Sequence, residues 1–431
     1  MNAGWCCLAL AAALAAPAAR AEEPAFDASR FEKKAFEIGG YAELKQEHLT
    51  LNRSGALYKL STLGASGRDG LDRSTGTLQL GGKLRHGSGT FDFRTNSSWA
   101  HDALSTQADH RLYEGALSFR SSERTTLEAG KRALRWGKGY AFNPIAFVER
   151  AKDPNDPNLA REGFWLLDGD FISNPGGRVR TVAFTPVLVP VTGAINGDFG
   201  ARGHLNPAAK LYLLVHDVDI DLAWLGQGSR AGRFGADFAT NLAQNFEVHG
   251  EWARVGATPK PLVDASGRFT PSSQQSTDWL LGLRYLTEGD TTWIGEYFHN
   301  GSGFDAAQLR DFDTFAGTAF ERFLQGGGST ALELAQALAQ GAYGRPNPGR
   351  DYLYVRAQQK DAFGIVYFQP ALTLMANLHD RSFQLTPELL YTGINNLELR
   401  ARAYLLRGGS GTDFGEKQAR RKLEVYARYY F

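Results

Sequence analysis

The sequence predicts an all-β protein: a closed, antiparallel transmembrane β-barrel of about eighteen strands, with sixteen as the fallback count. Three observations carry this. The chain ends on a strand in which Leu423, Val425, Ala427, Tyr429 and Phe431 alternate with Lys422, Glu424 and Arg428, and a side-chain period of two puts the two sets on opposite faces. The connections between alternating segments are sorted by parity, short after every even segment and long after most odd ones. No stretch after residue 21 approaches eighteen continuous apolar residues. A chain that crosses a membrane without such a stretch must close its strands on themselves, because lipid cannot satisfy the backbone groups of a sheet edge.

The amino terminus reads as an export signal. Residues 8–19 form a short apolar core, followed by Ala19-Arg20-Ala21, which predicts cleavage after Ala21 and a single barrel domain over 22–431. The run is too short to span a bilayer as a helix. Both cysteines, Cys6 and Cys7, lie inside this segment, so the mature chain has no disulfide, cysteine metal site or cysteine nucleophile. The full chain has 47 Lys and Arg against 46 Asp and Glu, and losing Arg20 brings the balance to zero. A nucleic-acid binder would be basic, so no nucleic-acid partner is expected.

The alternating segments lie near 36–50, 74–86, 89–102, 110–120, 123–136 and 160–173, then 178–190, 208–216, 217–227, 231–242, 245–256 and 275–287. The last six are 290–300, 350–360, 364–378, 381–393, 395–407 and 419–431. Each is near the length a tilted membrane strand needs. Tight turns follow strands 2, 4, 6, 8, 10, 12, 14 and 16, at 86–89, 121–123, 173–177, 217, 243–244, 288–289, 361–362 and 394. Long connections at 51–73, 137–159, 191–207, 257–274, 301–349 and 408–418 occupy the other rim. Short periplasmic turns and long outer loops are the rule for membrane barrels, and an even strand count returns both termini to the short-turn side. Pro186 and Pro190 in strand 7, with Pro370 and Pro387, remove ladder donors, which is why sixteen strands is the fallback.

The strand faces indicate what the interior holds. Strand 17 alternates Leu397, Leu399, Ala401, Ala403 and Leu405 with Glu398, Arg400, Arg402 and Tyr404. Strand 12 sets Trp279, Leu281, Leu283 and Tyr285 against Asp278 and Arg284, and strand 3 sets Phe91, Phe93 and Trp99 against Asp92, Arg94, Asn96 and Ser98. Arg or Lys on the lipid face costs roughly 2–4 kcal/mol at the bilayer midplane, so the polar sets must face a water-filled lumen. The candidate lumen and selectivity residues are Arg94, Arg132, Arg284, Arg400, Arg402 and Arg428, with Asp219, Asp221, Glu247, Glu251, Asp278 and Glu398. Their simplest role is to solvate the lumen and pair with one another. The group of Arg400, Arg402, Arg420 and Arg428 near the closing seam is the one expected to attract anionic solutes.

Two long loops are candidates for a constriction. Segment 137–162 is rich in Pro, Asn and Asp, so its turns are stiff; Asp153, Asn155 and Asp156 lack the spacing of a defined calcium loop, and no metal or cofactor is expected. Segment 301–349 carries Leu309, Phe312, Phe315, Ala316, Phe320 and Phe323 at helical spacing, then a capping-box pattern at Thr330 and Glu333. These predict two short amphipathic helices that fold into the mouth as a lid or plug, pack on other loops, or touch a partner. A catalytic reading of His299 and Ser302 fails on spacing, since alternation separates a His from a Ser three residues on.

The terminal Tyr429-Tyr430-Phe431, the Arg135-Trp136-Gly137 run leading to Asn143-Pro144, and the hairpin from Asn377 through Asp380 to Ser382 resemble those of Gram-negative outer-membrane porins. The chain is most similar to the eighteen-stranded alginate-export type of channel. The resemblance implies residence in the outer membrane, contact with its lipid, and recognition of Phe431 and Tyr429 by the barrel-assembly machinery. It further implies passive transport or export of a polar solute or polysaccharide, with no catalytic residues. Those exporters have a strongly basic lumen and this one carries both signs, so the solute stays open. The alternative is a binding or scaffold barrel that houses or docks a partner, such as an export component or a cytochrome.

Overall fold

A computed structural model describes residues 34–63 and 67–431; the export signal and its cleavage site lie outside the described residues. The strands are β1 (Phe36–Leu51), β2 (Gly70–His86), β3 (Gly89–Asp102), β4 (Thr106–Ser122), β5 (Thr125–Arg132) and β6 (Phe164–Ser173). They continue as β7 (Val179–Val191), β8 (His204–Val215), β9 (Val218–Leu225), β10 (Arg233–Ala243), β11 (Phe246–Val263) and β12 (Phe269–Leu286). The last are β13 (Thr291–His299), β14 (Asp351–Gln359), β15 (Phe368–Asn377), β16 (Ser382–Ile394), β17 (Leu397–Arg407) and β18 (Ala419–Tyr430). Each pairs antiparallel with its sequence neighbours, and β1 pairs with both β2 and β18, Tyr41 opposite Tyr430. The sheet therefore has no free edge.

Eighteen strands stand, and the prolines do not break the barrel because the ladder is locally opened around them. The two rungs at Pro186 and its neighbour Thr185 between β6 and β7 are missing, between the pairs Asp168–Val187 and Phe171–Phe184. Pro387 leaves the same gap between β16 and β17. Beside Pro190 the Asn196 side chain takes over: its Oδ1 accepts from the Trp165 amide (2.9 Å), and its Nδ2 donates to the carbonyls of Trp165 (2.7 Å) and Pro190 (2.8 Å). Pro370 sits before the first rung of β15 with β14.

The outer face is apolar. Leu44, Leu117, Leu281, Leu389 and Leu423 are all more than half exposed, whereas Glu424 and Arg402 on the inner face are each 5% exposed. Trp99, Trp165, Trp224, Trp252 and Trp279 also face outward, consistent with an interfacial aromatic girdle.

Among the described residues, helices occur only on the long-loop rim: α1 (Ala56–Thr62), α2 (Ala306–Leu324) and α3 (Thr330–Gln340), apart from a single 3-10 turn at Ala362–Gly364. The 301–349 loop does hold two amphipathic helices, and they pack on other loops. Leu309, Phe312, Phe315, Ala316 and Phe320 of α2 meet Leu332, Ala335 and Leu338 of α3, together with Ala56 and Leu60 of α1 and Val263 of β11. The hairpin of β11 and β12 extends to meet them, so the expected loop at 257–274 shrinks to five residues. The Tyr343 ring stacks between Phe304 (4.0 Å) and Phe312 (4.2 Å). The capping box expected at Thr330 and Glu333 is not formed, because Thr330 is already helical and Ser329 precedes the helix. A capping box forms instead at α2, where Asp305 and Gln308 bond each other's backbone amides (2.9 and 3.2 Å).

Candidate functional site

The lumen is not a uniform water-filled bore: the segment 133–163, between β5 and β6, folds into it. Its apolar residues Trp136, Ile145, Phe147 and Val148 pack on inward-facing Leu166, Val187, Val189, Ala208, Ala223, Leu225 and Ala253 of β6–β11. Ala141 and Phe142 pack on Leu280, Ile294, Tyr352, Tyr354 and Met375 of β12–β15. On this side the lumen wall is a hydrophobic core.

Two buried carboxylates hold the loop backbone. Glu251 of β11 accepts from the amides of Gly139 (2.6 Å) and Ile145 (3.2 Å) and from the Asn143 side chain (3.3 Å). Glu296 of β13 accepts from the amides of Tyr140 and Ala141, the latter at 2.8 Å, and lies 3.0 Å from Nε2 of His249. Four amides of an irregular segment thus receive acceptors that a helix or sheet would otherwise provide. The approach needs glycine: Gly137 has φ +92°, and a Cβ there would fall 2.6 Å from Asn143 and 2.7 Å from Glu251. Within the loop, Glu149 accepts from the Trp136 amide and pairs with Arg161 at 2.8 Å. Burial pushes its carboxyl above the usual range.

The tip of the loop crosses to the opposite wall. Asp156 accepts from both terminal nitrogens of Arg402 (3.2 and 3.3 Å) and lies 3.8 Å from Arg400, while Gln384 donates to Asn155 at 2.5 Å. This corrects the expectation for the cationic seam. Arg402 is bonded to Glu388 and lies 3.6 Å from Glu424; Arg400 pairs with Glu398 (2.9 Å), and Arg428 with Glu43 (2.6 Å). Arg420 donates to Asn52 and Ser54 at the rim. Arg400, Arg402 and Arg428 are thus charge-paired, and Arg420 alone of the four is held by neutral partners, so the seam is not the cationic patch expected.

The surplus lies on the β1–β5 side, where the loop leaves open space. A cavity of about 370 Å³ is lined by Arg94, Glu114, Arg135, Lys152 and Arg161. It shares Arg94 and Glu114 with a second cavity of about 670 Å³ nearer the short turns, lined by Lys83, Asp92, Glu128 and Arg132 among others. Arg94 pairs with Glu114 (2.9 Å), Arg132 with Glu128 and with Asp168 (2.8 Å), and Lys83 with Asp92 (3.1 Å). Arg135 is exposed and makes no hydrogen bond or ion pair among the described residues. Lys152 donates to the Gly139 carbonyl at 2.6 Å; burial lowers its pKa, opposed by Glu251. Four cations and one carboxylate line the smaller cavity, and with Arg94 paired to Glu114 and Arg161 to Glu149, Arg135 and Lys152 carry the surplus.

The remaining candidates are dispersed. Asp221 takes Lys138 of the loop (3.1 Å), and Asp219 accepts from Tyr212. Glu247 lies 3.5 Å from His249 and opposite Arg284, which is exposed to the lumen. Asp278 accepts from the Gly301 amide (2.9 Å), and Glu398 from the hydroxyls of Tyr426 and Tyr430 (both 2.9 Å). His299 and Ser302 do not meet: His299 is held by Asp351 (2.7 Å), and Ser302 donates to Asn300 (2.9 Å). Phe431 exchanges backbone hydrogen bonds with Gly40, and with Tyr429 it is half exposed on the outer face.

Glu296, Glu388, Glu114, Arg135, Lys152 and Arg161 were not anticipated as site residues. Glu296 had a signal: it is the lone carboxylate of β13, between the apolar inward residues Ile294 and Phe298. Lys152 had none, because it lies outside any alternating segment; Arg135 and Arg161 lie at the ends of the expected segments 123–136 and 160–173, which the strands themselves do not reach.

No family model matches the sequence, and no curated protein matches it. Among solved structures the chain is similar to the outer membrane protein OprD of Pseudomonas aeruginosa, at 11% identity and a TM-score of 0.50, covering 93% of this chain and 97% of that one. It is similar to OccK5 (OpdH) of the same organism at 11% identity and a TM-score of 0.50, covering 92% and 98%. The fold is that of the outer-membrane porins.

Proposed function

We propose that the barrel sits in a Gram-negative outer membrane and is a passive channel for small polar solutes, with a preference for anions. One observation carries it: the two joined cavities along β1–β5, meeting at Arg94 and Glu114, where Arg135 and Lys152 leave a cationic surplus. Charged side chains lining a pore set ion selectivity. The finer reading of polysaccharide export would need the loop tip to leave its seat on Arg402, since the lumen opposite is filled by the loop and its core. The same filling counts against a barrel that houses a partner protein. The apolar outer face would meet lipid, and Phe431 and Tyr429, facing outward on the last strand, would be read by the assembly machinery.

Single-channel recording of the refolded mature chain in a planar bilayer tests this. Steady conductance is expected, with a reversal potential in a KCl gradient that favours chloride. Arg135→Glu combined with Lys152→Gln should move it toward potassium. A barrel that never conducts would overturn the channel reading and favour the partner-docking alternative.

A further inference from the structure

We propose that the cavity beneath helices α1 and α3, at the long-loop mouth of the lumen, binds a neutral carbohydrate of one or two pyranose rings. The cavity measures about 450 Å³ and lies between α1, α3, the tip of the inserted loop and the inner wall of β15–β18. One part of its lining is apolar, from Leu57, Leu60, Ala339, Met375, Leu406 and Phe414. The other part is rich in amides. Gln384 is satisfied by Asn155 and Thr386, and Gln336 by the Leu60 carbonyl (2.9 Å). Three amides are not: Oδ1 of Asn347 is buried without a partner, and the exposed side chains of Gln340 and Gln418 make no hydrogen bond among the described residues.

The charges fix the class of ligand. Lys417 is held by Asp413 (2.8 Å) and the Pro346 carbonyl (2.8 Å), and Lys422 by Glu47 (3.1 Å) and Glu424 (3.0 Å). Asp153 uses Oδ1 for the backbone and side chain of Asn155, which leaves its Oδ2 open. No cation is left for an anionic ligand, and the open carboxylate oxygen repels one. A purely apolar ligand would bury the amides unmatched. An amide both donates and accepts, as a sugar hydroxyl does, and a pyranose presents a C–H face to apolar side chains. An apolar cavity with a few convergent polar groups is the usual form of such a site.

The inference rests on the channel reading only for its place at the mouth, and its test does not need conduction. Saturation-transfer NMR would be recorded on the refolded mature chain in detergent, with maltose and glucose as probes and benzoate as the anionic control. Saturable transfer to the ring protons of maltose is expected, weakened about tenfold in Gln340→Ala/Gln418→Ala, equivalent to about 1.4 kcal/mol. Neither glutamine side chain makes a hydrogen bond among the described residues, so the variant should keep the wild-type fold, checked by heat-modifiable gel mobility. Absence of transfer to both sugars, equal transfer in the variant, or preference for benzoate would overturn the proposal. Conduction without maltose binding removes this site and leaves the channel; maltose binding without conduction does the reverse.

Discussion

Glu251 is 3% exposed and serves three donors of a segment more than a hundred residues before it. Glu251→Gln replaces one acceptor oxygen by a donor group that faces amide donors. A buried amide left unsatisfied costs about 1–3 kcal/mol, so the inserted loop should loosen while the sheet, bonded independently, stays closed. The expected outcome is unchanged heat-modifiable mobility with larger open-channel current noise; noise equal to wild type would show that Glu296 alone seats the loop. The sequence placed Glu251 correctly on the inner face, since alternation along β11 is local. Its role was not legible, because its partners are backbone amides of an aperiodic segment and a backbone amide has no residue-type signature. Arg402 shows the same limit from the other side. Its inward direction was readable, but its pairing with Glu388 and Asp156 depends on which residues the closed sheet and the loop tip bring near it.

Among the elements, the cap of α1, α2 and α3 is tied to the barrel by loop 408–418. Glu416 in that loop accepts from the amides of Ala56 at the start of α1 (2.7 Å) and Gly411 (3.0 Å). Burial pushes its pKa up to about 7, with the neighbouring Asp313 carboxylate of α2 adding to the rise. A carboxyl raised in the folded state contributes stability that is complete below its ordinary value near 4.5 and is lost as pH climbs through about 7. The cap should therefore open more readily at pH 8 than at pH 5, read as lower hydrogen-exchange protection in 306–340 relative to the intrinsic amide rate at each pH. Glu416→Gln should remove that difference; a cap whose exchange keeps its pH dependence in the variant would place the titrating group elsewhere. The existence of α2 and α3 was legible from their 3.6-residue period. Helix α1 was not anticipated, since seven residues give too few repeats to read, and its buried Ala56, Tyr58 and Leu60 gain their meaning from α2 and α3 across the rim.

At the scale of the whole molecule, the constriction belongs to segment 133–163 and the cap is a separate layer over the mouth. Removing residues 303–342 takes away α2 and α3 without touching a rung of the barrel ladder, since β13 ends at His299 and β14 begins at Asp351. Wild type and deletion should both conduct, with the same sign of selectivity, because Arg94, Arg135, Lys152 and Arg161 remain. Conductance seen only after the deletion would mean that the cap, and not the inserted loop, closes the passage. The eighteen strands and the parity of their connections were readable throughout, and strand 7 survived its prolines because the sheet gives up rungs on one side there while keeping those with β8.

The amino-acid sequence by itself determined the barrel, its strand number, its inner and outer faces and the rim that carries the long loops. All of these follow from a period of two and from local turn chemistry. Only the tertiary structure decided which loop enters the lumen, which charges remain unpaired and where the passage runs. These depend on contacts between residues far apart in the chain, such as Tyr140 with Glu296 and Asp156 with Arg402. A charge on the inner face is a local property, but its neutralisation is a property of the pair, and the pairs exist only once the sheet has closed and the loop has folded into it.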